Sequence, residues 1–141
     1  MRLAAAIAVL ALAVAPGCRS GPPSPESVVR AWSQALNTGD NEGAAELFAR
    51  DAQVIQPSGA LILHTRSDAL EFNQSLPCSG TIVAVSASGD TVTATFLLGD
   101  RPTSPCDGPG QKVHAEFVVR NGKIDRWEQL SSAQAPAAPT V

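Results

Sequence analysis

The spacing of hydrophobic positions changes about halfway along the chain. Up to residue 77 they recur every three to four residues in three segments, as in amphipathic helices. Two short apolar runs, residues 52–56 and 61–64, are predicted strands between the second and third helices. The first predicted helix runs from a capping Ser24 to Gly39, the second begins at Asp40, and the third begins at Ser67 or Asp68 and ends before Pro77.

From residue 80 onward apolar and polar residues alternate, which is typical of strands with one buried face. The pattern predicts four strands, at residues 80–88, 91–98, 112–120 and 123–130. Turns at Gly89-Asp90 and Asn121-Gly122 join them in pairs, and the second is a strong hairpin signal. Because helices come first and antiparallel strands second, we predict an α+β fold with helices packed on one face of a sheet.

Counting outward from the turn at Asn121-Gly122 predicts which side chains share a face of the last hairpin. Regular pairing places Arg126 and Glu128 on the apolar face, and it places Trp127, Gln129 and His114 on the polar face. Because an unpaired buried charge is costly, Arg126 and Glu128 should either line a cavity that opens to water or form an ion pair at its rim. A shift of one residue in register would move both to the other face.

The first 17 residues have the composition of an export signal. Arg2 precedes an uninterrupted apolar run, residues 3–15, whose length suits a signal peptide and is too short to span a membrane. The segment at residues 15–18, Ala-Pro-Gly-Cys, resembles the lipobox of bacterial lipoproteins, which implies lipidation of Cys18. Secretion after cleavage at Ala15 is the alternative. We therefore expect a protein outside the cytoplasm, held at the cell membrane by lipid.

The remaining chain divides into a tether, one domain and a tail. Residues 18–23 are predicted to form the tether, residues 24–131 the domain, and the Ala/Pro-rich residues 132–141 a disordered tail. Export places Cys78 and Cys106 in an oxidising compartment, where we expect them to form a disulfide that pins the long loop at residues 99–110. The alternative, a reactive thiol pair, lacks the CxxC spacing that would favour it.

Charge and motifs exclude several classes of partner. The chain has 10 Lys and Arg against 13 Asp and Glu, with no basic run, so nucleic-acid binding is not predicted. It has no glycine-rich phosphate-binding motif. Its two histidines belong to no His/Cys cluster, so neither a cofactor nor a metal site is predicted.

Two stretches resemble the SnoaL-like branch of the nuclear transport factor 2-like proteins. The first, residues 28–52, contains the Gly39-Asp40 break between two helices, a Leu-Phe pair at residues 47–48 and an Asp-Ala pair at residues 51–52. The second, Asn121-Gly122 with the following Lys and Ile, is similar to the last hairpin of that family. The resemblance implies a cone of about three helices packed on a curved antiparallel sheet, with a cavity inside. It implies little about chemistry, since this fold hosts both enzymes and binding proteins.

Within such a cone the polar and aromatic residues suggest a site. Ketosteroid isomerase-type sites in the resembling family use a tyrosine, and this chain has none. A histidine after the first strand is near the cavity mouth in that fold, where it suits a base. The candidate ligand-binding residues are Arg126, Glu128, His64, Gln56, Asn73 and Trp32.

Three functions remain open from the sequence. The first is a domain that binds a small apolar or amphipathic ligand in the cavity without catalysis. The second is an enzyme of the cyclase, isomerase or hydrolase type, with Glu128 or His64 as base and Arg126 holding an oxyanion. The third is a dimer or partner-contact module of the cell envelope that uses the open sheet face, with Trp127 and Val118 at the contact.

Overall fold

The structure, a computed structural model, describes residue 17 and residues 21–136 of the chain. The predicted export segment, apart from residue 17, and the predicted lipidation site Cys18 lie outside the described residues. None of the described helices is long and apolar enough to cross a membrane. The described chain contains three helices, α1 (Pro25–Asn37), α2 (Asn41–Glu46) and α3 (Arg66–Ser75).

Each helix begins at a side chain that accepts a hydrogen bond from the first turn. Ser24 caps α1 and Asp40 caps α2, as the sequence predicts. Thr65 caps helix α3, two to three positions before the predicted Ser67 or Asp68. Thr65 Oγ1 accepts from Asp68 N at 3.1 Å, and Asp68 Oδ2 accepts from Thr65 N at 2.9 Å. This reciprocal capping box satisfies two backbone donors, which explains why the helix begins there.

The six strands form one curved, unclosed sheet. They are β1 (Phe48–Gln56), β2 (Gly59–Leu63), β3 (Ser79–Ser88), β4 (Thr91–Gly99), β5 (Lys112–Arg120) and β6 (Lys123–Leu130). The order across the sheet is β2-β1-β6-β5-β4-β3. Strands β1 and β6 pair in parallel and all other neighbours are antiparallel. The three helices pack on one face, so the predicted α+β cone is confirmed. The sheet was predicted to be antiparallel and is mixed, because β1 pairs in parallel with β6.

Both predicted hairpin turns are present. Asn121 and Gly122 have φ values of 51° and 73°, the left-handed conformations that a two-residue type I′ turn requires. Strand β1 is longer than predicted, because it begins at Phe48, which the helical spacing had assigned to the second helix.

Two of the strands contain one extra residue each. In β6, Ile124 pairs with Val119 while Arg126 pairs with the next residue of β5, Val118, so that Asp125 has no partner of its own. In β3 the pairing likewise skips Val83. These β-bulges reverse the alternation of side chains on one side of the extra residue. The regular pairing predicted for the last hairpin is therefore wrong beyond Ile124.

All six aromatic side chains of the protein form one cluster between the helices and the sheet. The ring centroids of Trp32 lie 5.4 Å from Phe117, 5.9 Å from Phe96 and 6.2 Å from Trp127. Phe72 extends the cluster, 5.4 Å from Trp127, and Phe48 follows at 5.8 Å from Phe72. Most pairs meet edge to face, which is a favourable geometry for aromatic rings. Three of its members, Trp32, Phe96 and Trp127, also line the space that remains.

The predicted tail begins with a turn. Gln134 N donates to Ser131 O at 2.9 Å, and residues 132–134 follow the last strand as a turn. Residues 137–141 lie outside the described part of the chain.

Candidate functional site

A cavity of about 330 Å³ lies between α1 and the inner face of the sheet, the face on which the helices pack. Helix α1 contributes side chains from its second half, and strands β1, β3, β4, β5 and β6 contribute one or more each. Pockets of this size and position are common ligand sites. The apolar part of the wall consists of Trp32, Leu36, Leu76, Pro77, Phe96, Leu98, Val113 and Trp127.

The polar part of the wall is mainly uncharged. Gln56 on β1 and Gln129 on β6 occupy neighbouring positions, because Ile55 pairs with Glu128 in the parallel ladder. Ser33 on α1 donates from Oγ to Gly80 O at 3.0 Å. Asp107 is the one ionisable side chain among the lining residues, and it is exposed at the mouth. The cavity therefore offers amide donors and acceptors in an apolar surround.

The predicted disulfide is present at the mouth of the cavity. Cys78, directly before β3, is bonded to Cys106 in the loop between β4 and β5, with 4.6 Å between the Cα atoms. Asp100 Oδ1 accepts from Cys106 N at 2.9 Å, which fixes the loop a second time. Asp107 Oδ1 lies 3.3 Å from Cys78 Sγ. Since both sulfurs are bonded to each other, neither is a thiolate that could bind a metal together with Asp107.

A buried arginine anchors the same loop to the helices. Arg101 is 7% exposed, and it donates to Asn73 O at 3.0 Å, to Leu76 O at 3.4 Å and to Asn41 Oδ1. Desolvation lowers the pKa of this guanidinium. The carbonyls at the C-terminal end of α3 compensate the charge, since that end of a helix favours cations. Arg101 was not predicted from the sequence, because its Gly/Pro-rich surroundings have no periodicity that indicates burial.

Two of the predicted site residues line the cavity, and a third supports it from behind. Trp32 and Gln56 are part of the wall. Asn73 is completely buried and not part of the lining. Its Oδ1 accepts from Trp32 Nε1 at 2.8 Å, and its Nδ2 donates to Ala69 O at 2.7 Å. Asn73 thus fixes the orientation of Trp32 and has no free amide group to offer a ligand.

The predicted inward position of Arg126 and Glu128 is wrong. The bulge at Asp125 turns both side chains to the outer face of the sheet, away from the helices. There Arg126 binds Glu128 and lies 3.5 Å from Glu116 Oε1 on the neighbouring strand. The same bulge brings Trp127 and Gln129, which the sequence analysis assigned to the polar face, into the cavity wall. Nothing in the alternation itself indicates the extra residue.

The two histidines are also outside the cavity. His64 is exposed, and its Nδ1 lies 2.8 Å from Asp51 Oδ1. It borders a surface groove of about 500 Å³ with Arg50, Arg66 and Lys123. His114 lies on the outer face, as predicted, where its ring contacts Thr95 Oγ1 at 2.9 Å. The surface suggested for contact with a partner was predicted to contain Trp127 and Val118. Of these two residues, Val118 lies on the outer face and Trp127 lies on the inner face.

This cone with its internal cavity is that of the nuclear transport factor 2-like class. Residues 29–127 match the SnoaL-like domain, so the chain belongs to the SnoaL-like domain family. No curated protein compared with the chain matches its sequence.

Several solved structures are similar in fold. A candidate polyketide cyclase from Sinorhizobium meliloti is 19% identical, with a TM-score of 0.59 over 74% of this chain and 94% of that one. A candidate ketosteroid isomerase from Kribbella flavida is 20% identical, with a TM-score of 0.59 over 81% of this chain and 83% of that one. An NTF2-like protein of unknown function from Cytophaga hutchinsonii is 11% identical, with a TM-score of 0.63 over 80% and 93%. At these identities the likeness supports the fold alone.

Proposed function

We propose that this domain binds a small apolar or amphipathic molecule in the cone cavity and does so without catalysis. The observation that carries the proposal is the chemistry of the wall, which consists mostly of apolar and aromatic side chains with a few uncharged amides. A site of this kind gains affinity from the burial of apolar surface and takes its orientation from a few polar groups. The groove beside His64 is larger, but its cationic side chains are exposed, so it buries little of a ligand.

The names of the similar structures suggest a cyclase or an isomerase as the alternative. Neither of the predicted bases is part of the cavity wall, since Glu128 is bound to Arg126 on the outer face and His64 is on the surface. Asp107 is the lining residue that an enzyme of this kind would have to use as base. The variant Asp107→Asn is therefore an informative control, because a binding domain should keep its affinity for an uncharged ligand when this carboxylate is neutralised.

The binding proposal can be tested with N-phenyl-1-naphthylamine, an uncharged apolar fluorophore. Both tryptophans of the protein line the cavity, so the quenching of tryptophan fluorescence reports occupancy directly. We expect saturable binding to the wild type and to Asp107→Asn. Leu98 and Leu97 are adjacent on β4, and only Leu98 lines the cavity, while Leu97 is 39% exposed.

These two leucines provide a matched pair of variants. Leu98→Phe fills part of the cavity and should weaken binding about tenfold or more. Leu97→Phe makes the same chemical change on the outer face and should leave affinity unchanged. Equal effects of the two substitutions, or no saturable binding to the wild type, would contradict the proposal.

We further propose that Cys18 is lipidated and that the domain is held at the outer surface of the cell membrane. The disulfide supports a location outside the cytoplasm. Pro23 packs on Gly122 at the turn between β5 and β6, whereas Val113 and Gln129 line the cavity at the other end of these strands. Since β5 has nine residues, the two ends are roughly 25 to 30 Å apart. A lipid on Cys18 would thus leave the cavity on the side away from the membrane.

The anchor is tested by the intact mass of protein purified from the membrane fraction. We expect a chain that begins at Cys18 and carries a diacylglycerol. The variant Cys18→Ala should lose the lipid and leave the membrane fraction. A soluble wild-type chain without lipid, cleaved after Ala15, would contradict this proposal and leave the binding proposal intact.

A further inference from the structure

The open edge of β2 carries backbone groups that no other described strand uses. Within the described chain β2 is the first strand in the sheet order, so it has a neighbour on one side only. Gln56 and Gly59 close the turn between β1 and β2, and they exchange hydrogen bonds with each other, since the alternative pairing would need an N–H on Pro57. Alternation along the strand then directs the N–H and C=O groups of Ala60 and Ile62 away from β1. No turn, loop or cap of the described chain bonds to these groups.

The other edge of the sheet, β3, is protected in ways that β2 is not. Asn37 of α1 accepts a hydrogen bond from Gly80 N and, together with Ser33, donates to Gly80 O. The bulge at Val83 interrupts the same strand further on. Helix cover and bulges are devices that keep a sheet edge from pairing with other chains. Strand β2 has no bulge in its pairing with β1 and contains no charged residue or proline, so it is suited to accept a further strand.

A groove of about 320 Å³ lies along this edge, between β2 and α3. Leu61 and Ile62 line it and are 43% and 38% exposed, which makes them two of the four exposed large hydrophobic residues of the described chain. Neighbouring side chains of a strand point to opposite faces, so a groove that both residues border includes the open edge itself. The buried ring of Phe72 also lines the groove. A partner would therefore bury apolar surface here in addition to pairing with the backbone.

The helix side of the groove is acidic. Asp68 and Glu71 are three residues apart on α3, and both line the groove. No Lys, Arg or His is among the lining residues, so a cationic side chain of a partner would meet two carboxylates without a competing cation. A second copy of this chain fits less well. Antiparallel pairing of two β2 strands would place both α3 helices on the same face of the joined sheet, with like charges facing each other.

We propose that this groove is a docking site for an extended segment of another protein, which adds to β2 as an edge strand and carries Lys or Arg among apolar side chains. The backbone of the segment pairs with Ala60 and Ile62, and its apolar side chains pack on Leu61. Its cationic side chains lie beside Asp68 and Glu71. Strand addition of this kind takes affinity from the main chain and specificity from alternate side chains. The site is separate from the cone cavity, so this proposal and the ligand-binding proposal can fail independently.

The test uses a fluorescein-labelled peptide with the central sequence Lys-Val-Leu-Val-Arg. In a strand its Lys, Leu and Arg share the face beside α3, and its two valines lie opposite Ala60 and Ile62. One control peptide, Glu-Val-Leu-Val-Glu, reverses the charge. The other keeps the basic sequence and carries an N-methyl group on both valines, which removes the N–H groups that would bind to β2. By fluorescence anisotropy with the mature protein, we expect the basic peptide to bind about tenfold more tightly than either control.

Two variants of the protein make the same chemical change at different places. Glu71→Gln neutralises an exposed carboxylate of the groove and should weaken binding of the basic peptide about threefold. Glu26→Gln neutralises an exposed carboxylate on α1, outside the groove, and should leave binding unchanged.

Hydrogen exchange of the wild type needs no variant that must fold. The bound peptide should slow the exchange of the Ala60 and Ile62 amides, which are open in the free protein. No binding at about 1 mM peptide, equal binding of the three peptides, or unchanged exchange at these amides would overturn the proposal. A dimer whose Ala60 and Ile62 amides exchange slowly without peptide would also overturn it, and would assign the edge to a second copy of the chain.

Discussion

The two faces of the sheet are formed by the same six strands and carry different kinds of side chain. The inner face, covered by the helices, presents Phe117, Trp127 and Gln129 to the core and the cavity. The outer face presents Arg126 and its two carboxylate partners, with a row of threonines on β4. On β6 one extra residue decides which set faces inward. The chemistry of the cavity wall in this protein thus depends on a local feature of the backbone as well as on residue type.

The largest expected effect on stability comes from a pair of single-residue deletions, one at the bulge in β6 and one in a regular part of β5. Deletion of Asp125 removes the extra residue and leaves Val119 paired with Ile124 and Val118 with Arg126, so both faces keep their side chains. We expect a folded protein whose free energy of unfolding falls by no more than about 2 kcal/mol.

The matched control is deletion of Glu116, which lies in the regular part of β5. It exchanges the faces of all residues on one side, so the free energy of unfolding should fall by more than about 4 kcal/mol. Urea unfolding followed by tryptophan fluorescence measures both. If the two deletions cost the same, the bulge does not determine the faces as described.

The fold could be predicted from the sequence more completely than the site. The caps of α1 and α2 and the Asn121-Gly122 turn depend on neighbours close in the chain, and these predictions were confirmed. The cap of α3 was placed two to three residues late, and Phe48 was assigned to a helix although it begins β1. The position of Arg126 and Trp127 depends on an extra residue that the alternation does not reveal, and it was wrong. Arg101 was missed for a related reason, because its burial is due to carbonyls of α3, 25 to 28 positions away along the chain.

The next largest effect on the free energy of unfolding is expected from a comparison of two adjacent residues on β5. Phe117 is fully buried and contacts the rings of Trp32 and Phe96, whereas Val118 is half-buried on the outer face. Phe117→Ala should lower the free energy of unfolding by about 3–5 kcal/mol, because it removes buried area and leaves a cavity. Val118→Ala should cost about 1 kcal/mol or less. Chemical denaturation checks both values, and a larger loss for Val118→Ala would indicate that the outer face is itself covered.

A third prediction concerns the loop that closes the inner face. The bond between Cys78 and Cys106 joins residues 28 positions apart, so its loss should lower the free energy of unfolding by about 3–4 kcal/mol in the chain-entropy treatment. The double variant Cys78→Ser, Cys106→Ser isolates this effect. Because Cys78 and Asp107 belong to the cavity mouth, the same variant should bind N-phenyl-1-naphthylamine more weakly. Unchanged affinity would mean that the loop does not shape the site.

The smallest effect belongs to the charged cluster of the outer face. Glu116 and Glu128 are directly paired across β5 and β6, and Arg126 lies between their carboxylates. The Glu128 side chain is 14% exposed, so water screens it poorly when the arginine is removed. Arg126→Met should therefore lower the free energy of unfolding by about 1–2 kcal/mol, because it leaves two like charges opposite each other.

The control for this cluster adds Glu116→Gln to Arg126→Met, which removes the repulsion and should restore part of the loss. Both variants should bind N-phenyl-1-naphthylamine as the wild type does, since the cluster and the cavity lie on opposite faces of the sheet. A loss of ligand affinity in Arg126→Met, at unchanged fold, would show that the outer charges act on the site through β6. The conclusion that the cavity on one face and the charged cluster on the other are independent of each other would then be incorrect.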